Sequence, residues 1–282
     1  MTGDNSIKQL LHKAAASISS DSPRLDAEIL LCHLLNKPRS HLFTWPEQVL
    51  EPKLVETFLK LVQRRCAGEP VAYLTGQQEF WSLQLKVSPA VLIPRPDTEL
   101  LVELALQWPA NTPLDVLDLG TGSGAIALAL ASERPAWRIT ATDQSEEVLN
   151  IARDNAGRHQ LSNVRFNQGS WYQAVTSQTF DLIVSNPPYI PAADPHLATG
   201  GLQFEPEQAL VSGVIGLDDI EAIAGEAVRY LNDNGWLLVE HGYDQGTAVR
   251  QIFERHGLET VRTELDLEGR ERVTLGTLNE SS

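Results

Sequence analysis

Residues 114–132 read Leu-Asp-Val-Leu-Asp-Leu-Gly-Thr-Gly-Ser-Gly-Ala-Ile-Ala-Leu-Ala-Leu-Ala-Ser. An apolar strand pattern, Leu114–Leu119, runs into the loop Gly120-Thr121-Gly122-Ser123-Gly124, and a helix-forming run over Gly124–Ser132 follows. Glycines at such a junction open backbone conformations closed to other residues and let the chain approach a ligand closely. A second strand pattern, Trp137–Thr142, ends at Asp143. That is about 20 residues past the loop, the position of a carboxylate that grips ribose hydroxyls. A nucleotide-type cofactor is therefore expected. Gly120-x-Gly122-x-x-Ala125 also satisfies the dinucleotide fingerprint, so these residues alone leave NAD open.

Outward from this stretch the alternation continues. Helix patterns cover Glu146–Ala156, Ile220–Leu231 and Thr247–His256, and strand patterns cover Val164–Asn167, Phe180–Ser185 and Trp236–Glu240. Two final strand patterns, Glu259–Leu265 and Arg272–Leu278, are joined by a turn around Gly269. Repeated βα units predict an α/β fold with a doubly wound, mostly parallel sheet of seven strands. The last two strands lack a helix between them and are expected to pair antiparallel at one edge, unlike the usual dehydrogenase sheet.

Before residue 76 the periodicity is helical. Ile7, Leu10, Leu11, Ala14 and Ala15 form one stripe, and Leu54, Val55, Phe58, Leu61 and Val62 another. Ser22-Pro23 opens a helix to about Leu35, Thr44 and Glu47 have the spacing of a capping box, and Gly68 stands where a C-terminal cap would be. Residues 79–93 switch to alternation, with Ser88-Pro89 as a turn. The expected organisation is a helical substrate-docking domain (1–75), a β-hairpin linker (76–94) and a catalytic domain (95–282).

Charge divides the chain in the same way. The 282 residues carry 22 Lys and Arg against 37 Asp and Glu, a net charge of −15. Residues 1–72 hold nine basic and eight acidic side chains, so the remainder carries the entire acidic excess, at −16. This argues against stable nucleic-acid binding through phosphate neutralisation. With 42% hydrophobic and 21% charged residues the composition is globular. The two cysteines, Cys32 and Cys66, fit neither a metal site nor a disulfide scaffold, and a reducing, cytoplasmic compartment is expected. The N-terminal residues MTGDNSIKQL show neither a signal-peptide nor a membrane-span pattern, and no membrane association is expected. No metal site is expected, and a monomer is the default.

Asn186-Pro187-Pro188-Tyr189 follows the Phe180–Ser185 strand directly, at the carboxyl end of the sheet, where ligands bind in open α/β folds. An amide carbonyl, a proline-locked backbone carbonyl and an aromatic face suit a planar N–H₂ group. Two acceptors hold its hydrogens while the ring stabilises developing positive charge. His241, after the fifth strand, is a candidate base, although a structural histidine is the simpler reading.

The glycine loop and Asn-Pro-Pro-Tyr together resemble the S-adenosylmethionine-dependent N-methyltransferases. More closely, the chain is similar to the HemK/PrmC family. The similarity also covers Gly68-Glu69-Pro70 to Gly76, Val91-Leu92-Ile93-Pro94-Arg95-Pro96-Asp97-Thr98-Glu99, Phe204-Glu205-Pro206 and Glu271-Arg272-Val273. The resemblance implies a methyltransferase sheet and methylation of the glutamine of the Gly-Gly-Gln motif in class 1 peptide-chain release factors. The cofactor would be S-adenosyl-L-methionine and the product S-adenosyl-L-homocysteine. It further implies that Gly120, Thr121, Gly122 and Gly124 lie against the methionine part of the cofactor, that Asp143 binds ribose and that Ser170 and Trp171 flank adenine. Asn186 would touch both cofactor and substrate amide, with Pro187, Pro188 and Tyr189 on the substrate side, and Arg95, Pro96 and Glu99 lining the same pocket. Ser170 stands where the family usually has an acidic residue. Two rivals remain at this point: an adenine methyltransferase of DNA or RNA, which shares the tetrapeptide, and a non-catalytic cofactor-binding protein.

Overall fold

The computed structural model describes residues 5–108 and 112–279. The first four residues of the N-terminal stretch quoted above, and the last three of the expected catalytic domain, lie outside the described residues. Two compact units emerge. One is the chain through Gln77 together with His196–Phe204, and the other comprises Gln78–Pro195 and Glu205–Ser282. A short segment deep in the sequence thus clusters with the helices, where the sequence suggests contiguous domains.

The first unit contains α1 (Ile7–Ser17), α2 (Pro23–Leu35), α3 (Arg39–Thr44), α4 (Pro52–Cys66) and α5 (Val71–Thr75). Its core takes Ile7, Leu10, Leu11, Val55, Phe58 and Val62 from the predicted stripes and adds Leu30 and Leu31 of α2. The Thr44 capping box does not start a helix. Thr44 ends α3 and its hydroxyl donates back to the Ser40 carbonyl at 2.8 Å, so the next helix begins only after Glu51.

The second unit begins one residue into the hairpin β1 (Gln77–Phe80) and β2 (Leu83–Lys86), which is followed by α6 (Glu99–Ala105). The hairpin itself reverses at Trp81-Ser82, and Ser88-Pro89 makes the expected turn just after it, with the Val91 amide donating to the Ser88 carbonyl at 3.0 Å. Trp81 and Ser82 both have positive φ, 51° and 60°. That is a two-residue hairpin turn normally marked by Asn-Gly, and Trp-Ser carries no such mark.

Then come β3 (Asp115–Leu119), α7 (Ala125–Glu133), β4 (Arg138–Asp143), α8 (Glu146–Arg158), β5 (Val164–Gln168) and β6 (Phe180–Ser185). They are followed by α9 (Asp218–Ala227), β7 (Leu231–Glu240), α10 (Gly246–Arg255), β8 (Glu259–Leu265) and β9 (Glu271–Thr277). The seven-stranded sheet has the order β5-β4-β3-β6-β7-β9-β8. Its first five strands are parallel, and β9 pairs antiparallel with both β7 and β8. The sheet is buried on both sides. Val116, Val184 and Leu238 face α6 and α7, while Leu117, Ile183 and Leu237 face α9 and α10. This period-2 division follows from strand geometry. The helix read as Ile220–Leu231 stops at Ala227, because Leu231 already pairs with Phe180 in the sheet.

Ser82 is exposed in its left-handed conformation, which costs an L-residue about 1–2 kcal/mol. Ser82→Gly is expected to stabilise the protein by up to about 1 kcal/mol after the greater chain entropy of glycine is counted. A raised urea midpoint at unchanged slope would register it, and an unchanged or lowered midpoint would contradict it.

Candidate active site

One cavity opens at the carboxyl ends of β3, β4 and β6. Its wall includes Gly120, Thr121, Gly122, Asp143, Ser170, Trp171, Asn186, Pro187 and Pro188. The sheet accounts for the convergence. β3 is followed by β4 on one side and paired with β6 on the other, so the loops leaving β3 and β6 diverge above a crevice. Leu119 and Ser185 are register partners, and Ser185 Oγ donates to the Leu119 carbonyl at 2.8 Å.

The glycine loop is held from both ends. Thr121 N–H donates to the Thr142 carbonyl at 2.8 Å, and Gly122 N–H donates to Asp143 Oδ2 at 3.2 Å. Gly120 has φ of 72°, and a Cβ there would lie 3.3 Å from the Trp171 ring. Trp171 is itself left-handed, at φ 47°, in a short 3₁₀ segment (Trp171–Val175) that the sequence did not disclose. Gly124 lies outside the cavity wall. A Cβ there would meet the Leu128 side chain at 3.0 Å and the Ala152 Cβ at 3.3 Å, so this glycine serves close packing of α7 on α8.

Burial raises the Asp143 carboxyl above its ordinary value, against hydrogen bonds from the Ser145 and Gly122 amides. Asp118 beneath the loop is fully buried. Burial pushes it up to about 7, although the Thr121 hydroxyl donates to its Oδ2 at 2.6 Å and favours the charged form.

Asn186 donates from Nδ2 to Thr98 Oγ1 at 3.0 Å. Tyr189 stands outside the cavity wall. Its hydroxyl donates to Glu240 Oε1 at 3.1 Å, and its backbone carbonyl accepts from Gln245 Nε2 at 3.0 Å. Burial, then the Glu240 charge, pushes the Tyr189 phenol well above its usual range.

Three residues expected to line the pocket do not. Arg95 pairs with Glu205, Pro96 is exposed, and Glu99 accepts the Trp81 amide at 3.0 Å, which ties the hairpin down. Their segment still reaches the cavity through Val91, Leu92, Pro94 and Thr98. Glu205 organises it, accepting the Ile93 amide at 3.0 Å as well as the Arg95 guanidinium.

His241 is not available as a base. Nδ1 donates to the Gly242 carbonyl at 2.9 Å, so Nε2 accepts from Thr274 Oγ1 at 2.8 Å, and burial holds the ring neutral. Among the described residues no His, Cys, Asp and Glu cluster is arranged to hold a metal ion.

Two buried residues were missed. Thr98 is part of the cavity wall, and Glu240, at 1% exposure, ends β7 at the same sheet edge. An acidic residue closing the apolar strand pattern WLLVE was the available signal.

Residues 9–76 match the PrmC N-terminal domain, and residues 111–266 match a methyltransferase domain. The chain is 50% identical to the release factor glutamine methyltransferase of Aliivibrio fischeri over 96% of this chain and 97% of that protein. It is 55% identical to the release factor glutamine methyltransferase of Vibrio cholerae over 91% and 90%. The chain belongs to the release factor glutamine methyltransferase family. A methyltransferase from Pyrococcus furiosus shares the fold, with a TM-score of 0.51 at 21% identity over 70% of this chain and 89% of that one.

The two-sided burial of this family member's sheet makes its stability depend on pH. Native Asp118 holds its proton up to about 7, whereas an unfolded aspartate, with an ordinary value of 3.8, releases it earlier. Stability contributed by this group therefore falls as pH rises between these values and stays low above them. Asp118→Asn keeps an acceptor for Thr121. It is expected to reduce the loss of urea resistance between pH 5 and pH 8, and a loss equal to that of the parent would contradict the assignment.

Proposed function

We propose that this chain transfers a methyl group from S-adenosylmethionine to the side-chain amide nitrogen of the glutamine in the Gly-Gly-Gln motif of class 1 peptide-chain release factors. It would act as a monomer in the cytoplasm. The observation that carries the reading is the shared cavity. Gly120, Gly122, Asp143, Trp171, Asn186 and Pro187 all line it, which supports a cofactor role for the first four and an amide-holding role for Asn186 Oδ1 and the Pro187 carbonyl.

The residues fit the cofactor. Gly120 and Gly122 leave a cradle without side chains, Asp143 offers a carboxylate held by two backbone amides, and the Trp171 ring lies against Gly120. S-adenosylmethionine supplies, when bound, an electrophilic methyl group on a sulfonium.

The protein must supply a usable nucleophile. An amide nitrogen is poor because its lone pair is delocalised into the carbonyl. Asn186 Oδ1 and the Pro187 carbonyl would each accept one N–H, orient the nitrogen and favour its tetrahedral form. Positioning and electrostatics then carry most of the rate. The proton leaves to water. The acidic balance of the catalytic part disfavours an adenine-containing nucleic acid as substrate.

The helical unit supports a docking role. Phe43, Trp45 and Val49 are 61%, 58% and 70% exposed within one short stretch. Exposed aromatic side chains grouped in this way are characteristic of protein-binding surfaces. Replacing Phe43 and Trp45 together by Ser is expected to raise KM for whole release factor about tenfold, or roughly 1.4 kcal/mol, with cofactor affinity unchanged. An unchanged KM would remove the docking role.

Asn186→Ala is expected to slow methylation of a Gly-Gly-Gln substrate about 10²–10³-fold while calorimetric cofactor binding persists. Asn186→Asp keeps an acceptor but adds charge, and is expected to fall between Asn186→Ala and the parent. Mass spectrometry of release factor after timed incubation measures both. Parent rates in both variants would show that Asn186 is not the amide clamp.

A further inference from the structure

Val214 and Ile215 are adjacent in the chain and 83% and 62% exposed, and Tyr243 is 63% exposed. Exposed apolar side chains are ordinary when scattered singly, so their placement decides what these three mean. The stretch from Gln208 to Asp219 starts and ends in the cavity wall, where Gln208, Ala209 and Asp219 all lie. Between those points it runs beside the residues that follow the tetrapeptide. Ile190 N–H donates to the Leu210 carbonyl at 2.9 Å, Ser212 N–H to the Ile190 carbonyl at 3.0 Å, and Ala192 N–H to the Gly213 carbonyl at 2.9 Å. Val214 and Ile215 follow directly, at the rim of the cavity.

This rim is built to hold its shape. Gly213 and Gly216 bracket the apolar pair, both left-handed, at φ 63° and 75°. A Cβ at Gly213 would collide with the Asp218 carboxylate, and one at Gly216 with the Tyr189 carbonyl, so the turn is packed directly on both. Gln245 Nε2 donates to the Tyr189 carbonyl at 3.0 Å and to the Gly216 carbonyl at 3.2 Å, while its Oε1 accepts the Gly242 amide at 2.8 Å. One side-chain amide therefore joins the tetrapeptide, the Val214-Ile215 turn and the turn that carries Tyr243. Apolar side chains on a backbone fixed in this way lose little further freedom when a partner covers them.

The rim also has a sign. From Asn186 to Val228 there is no lysine or arginine, against seven aspartates and glutamates. Glu205 and Glu221 face arginines, whereas Glu207, Asp218 and Asp244 are exposed beside the wall residues and Tyr243. A second copy of this chain would bring like charge to like at this face. A glutamine side chain reaching Asn186 and Pro187, by contrast, brings its own backbone to the cavity mouth, and the residues on either side of it must cross the rim. We propose that the rim binds the polypeptide flanking the reactive glutamine, with an aliphatic side chain against Val214, Ile215 and Tyr243 and a lysine or arginine beside Asp218 and Asp244. The proposal rests on the reading of the cavity as the glutamine site.

Two synthetic peptides with a central Gly-Gly-Gln test the rim on the full chain, one flanked by valine and arginine, the other by serine and glutamate. Methylation is followed by mass spectrometry at saturating S-adenosylmethionine. The parent KM is expected to be about tenfold lower for the valine and arginine peptide. Val214→Ser combined with Ile215→Ser should bring the two KM values within about threefold while kcat stays at the parent value. Calorimetric cofactor affinity equal to that of the parent shows that this variant is folded. Asp244→Lys should raise KM for the valine and arginine peptide and weaken its dependence on salt.

Equal KM values in the parent, or a preference that survives Val214→Ser with Ile215→Ser, would overturn the proposal. So would a parent dimer in sedimentation that the same double variant converts to a monomer, because the face would then belong to a second copy. Failure of the underlying reading looks different: the parent methylates neither peptide nor whole release factor. Calorimetric binding of the two peptides to the parent with S-adenosylhomocysteine still reads the rim in that case, tighter binding of the valine and arginine peptide supporting it and equal binding overturning it.

Discussion

The pairing of β3 with β6 is the constraint on which the site depends. Leu119 and Ser185 are the last residues of their strands and lie opposite each other, tied by the Ser185 hydroxyl to the Leu119 carbonyl. One residue further along each strand are Gly120 and Asn186. The glycine loop and the tetrapeptide, 66 positions apart at that tie, therefore leave the sheet side by side. A slip of one residue in this register would turn every following side chain to the opposite face of the sheet. The tight packing of Leu117 and Ile183 against α9 and α10 makes such a slip prohibitive, so hydrophobic burial sets the geometry of the polar site.

Placing that site over a sheet covered on both sides has a consequence for charge. Asp118 and Glu240 end up in the layer beneath the cavity, fully desolvated, each held near neutrality in its titration. Burying a carboxylate disfavours its ionised form, and hydrogen bonds recover only part of the difference. Each has a hydroxyl donor rather than a tight cation: Thr121 for Asp118, and Tyr189 for Glu240. A hydroxyl that donates to a carboxylate keeps lone pairs for a neighbour. An ammonium or guanidinium in its place would quench the charge without passing any directional information on.

Local signals were the legible ones. The glycine loop, the ribose-position aspartate and the tetrapeptide each announce themselves within a few residues, because each does its work with its own backbone or side chain. The failures share the opposite property. Trp81-Ser82 turns a hairpin without turn residues because the strands on either side impose the conformation. Gly124 is a member of the loop by sequence, yet it faces Leu128 and Ala152 because α7 and α8 pack there. Arg95 is spent on Glu205, 110 positions away, and Thr98 reaches Asn186 across 88. No pattern within a window records such partners. An acid at the end of an apolar strand was a visible anomaly, but its meaning depended on which loop the sheet would place above it.

The choice of asparagine over aspartate at residue 186 then has a physical reading. A carboxylate would need no orienting device, since both of its ends accept, but it would bring a full negative charge to the cavity. That charge would stabilise a cationic methyl donor most strongly before transfer, when the positive charge is still concentrated, and so favour the ground state over the transition state. A neutral amide avoids that bias and introduces an ambiguity in its place, because its two ends differ in chemistry and hardly in shape. Removing the ambiguity requires a neighbour that only accepts, and a threonine becomes such a neighbour once its one proton is committed elsewhere. Thr98 Oγ1, which accepts from Asn186 Nδ2 at 3.0 Å, occupies the nitrogen end from behind and leaves the oxygen end for a donor.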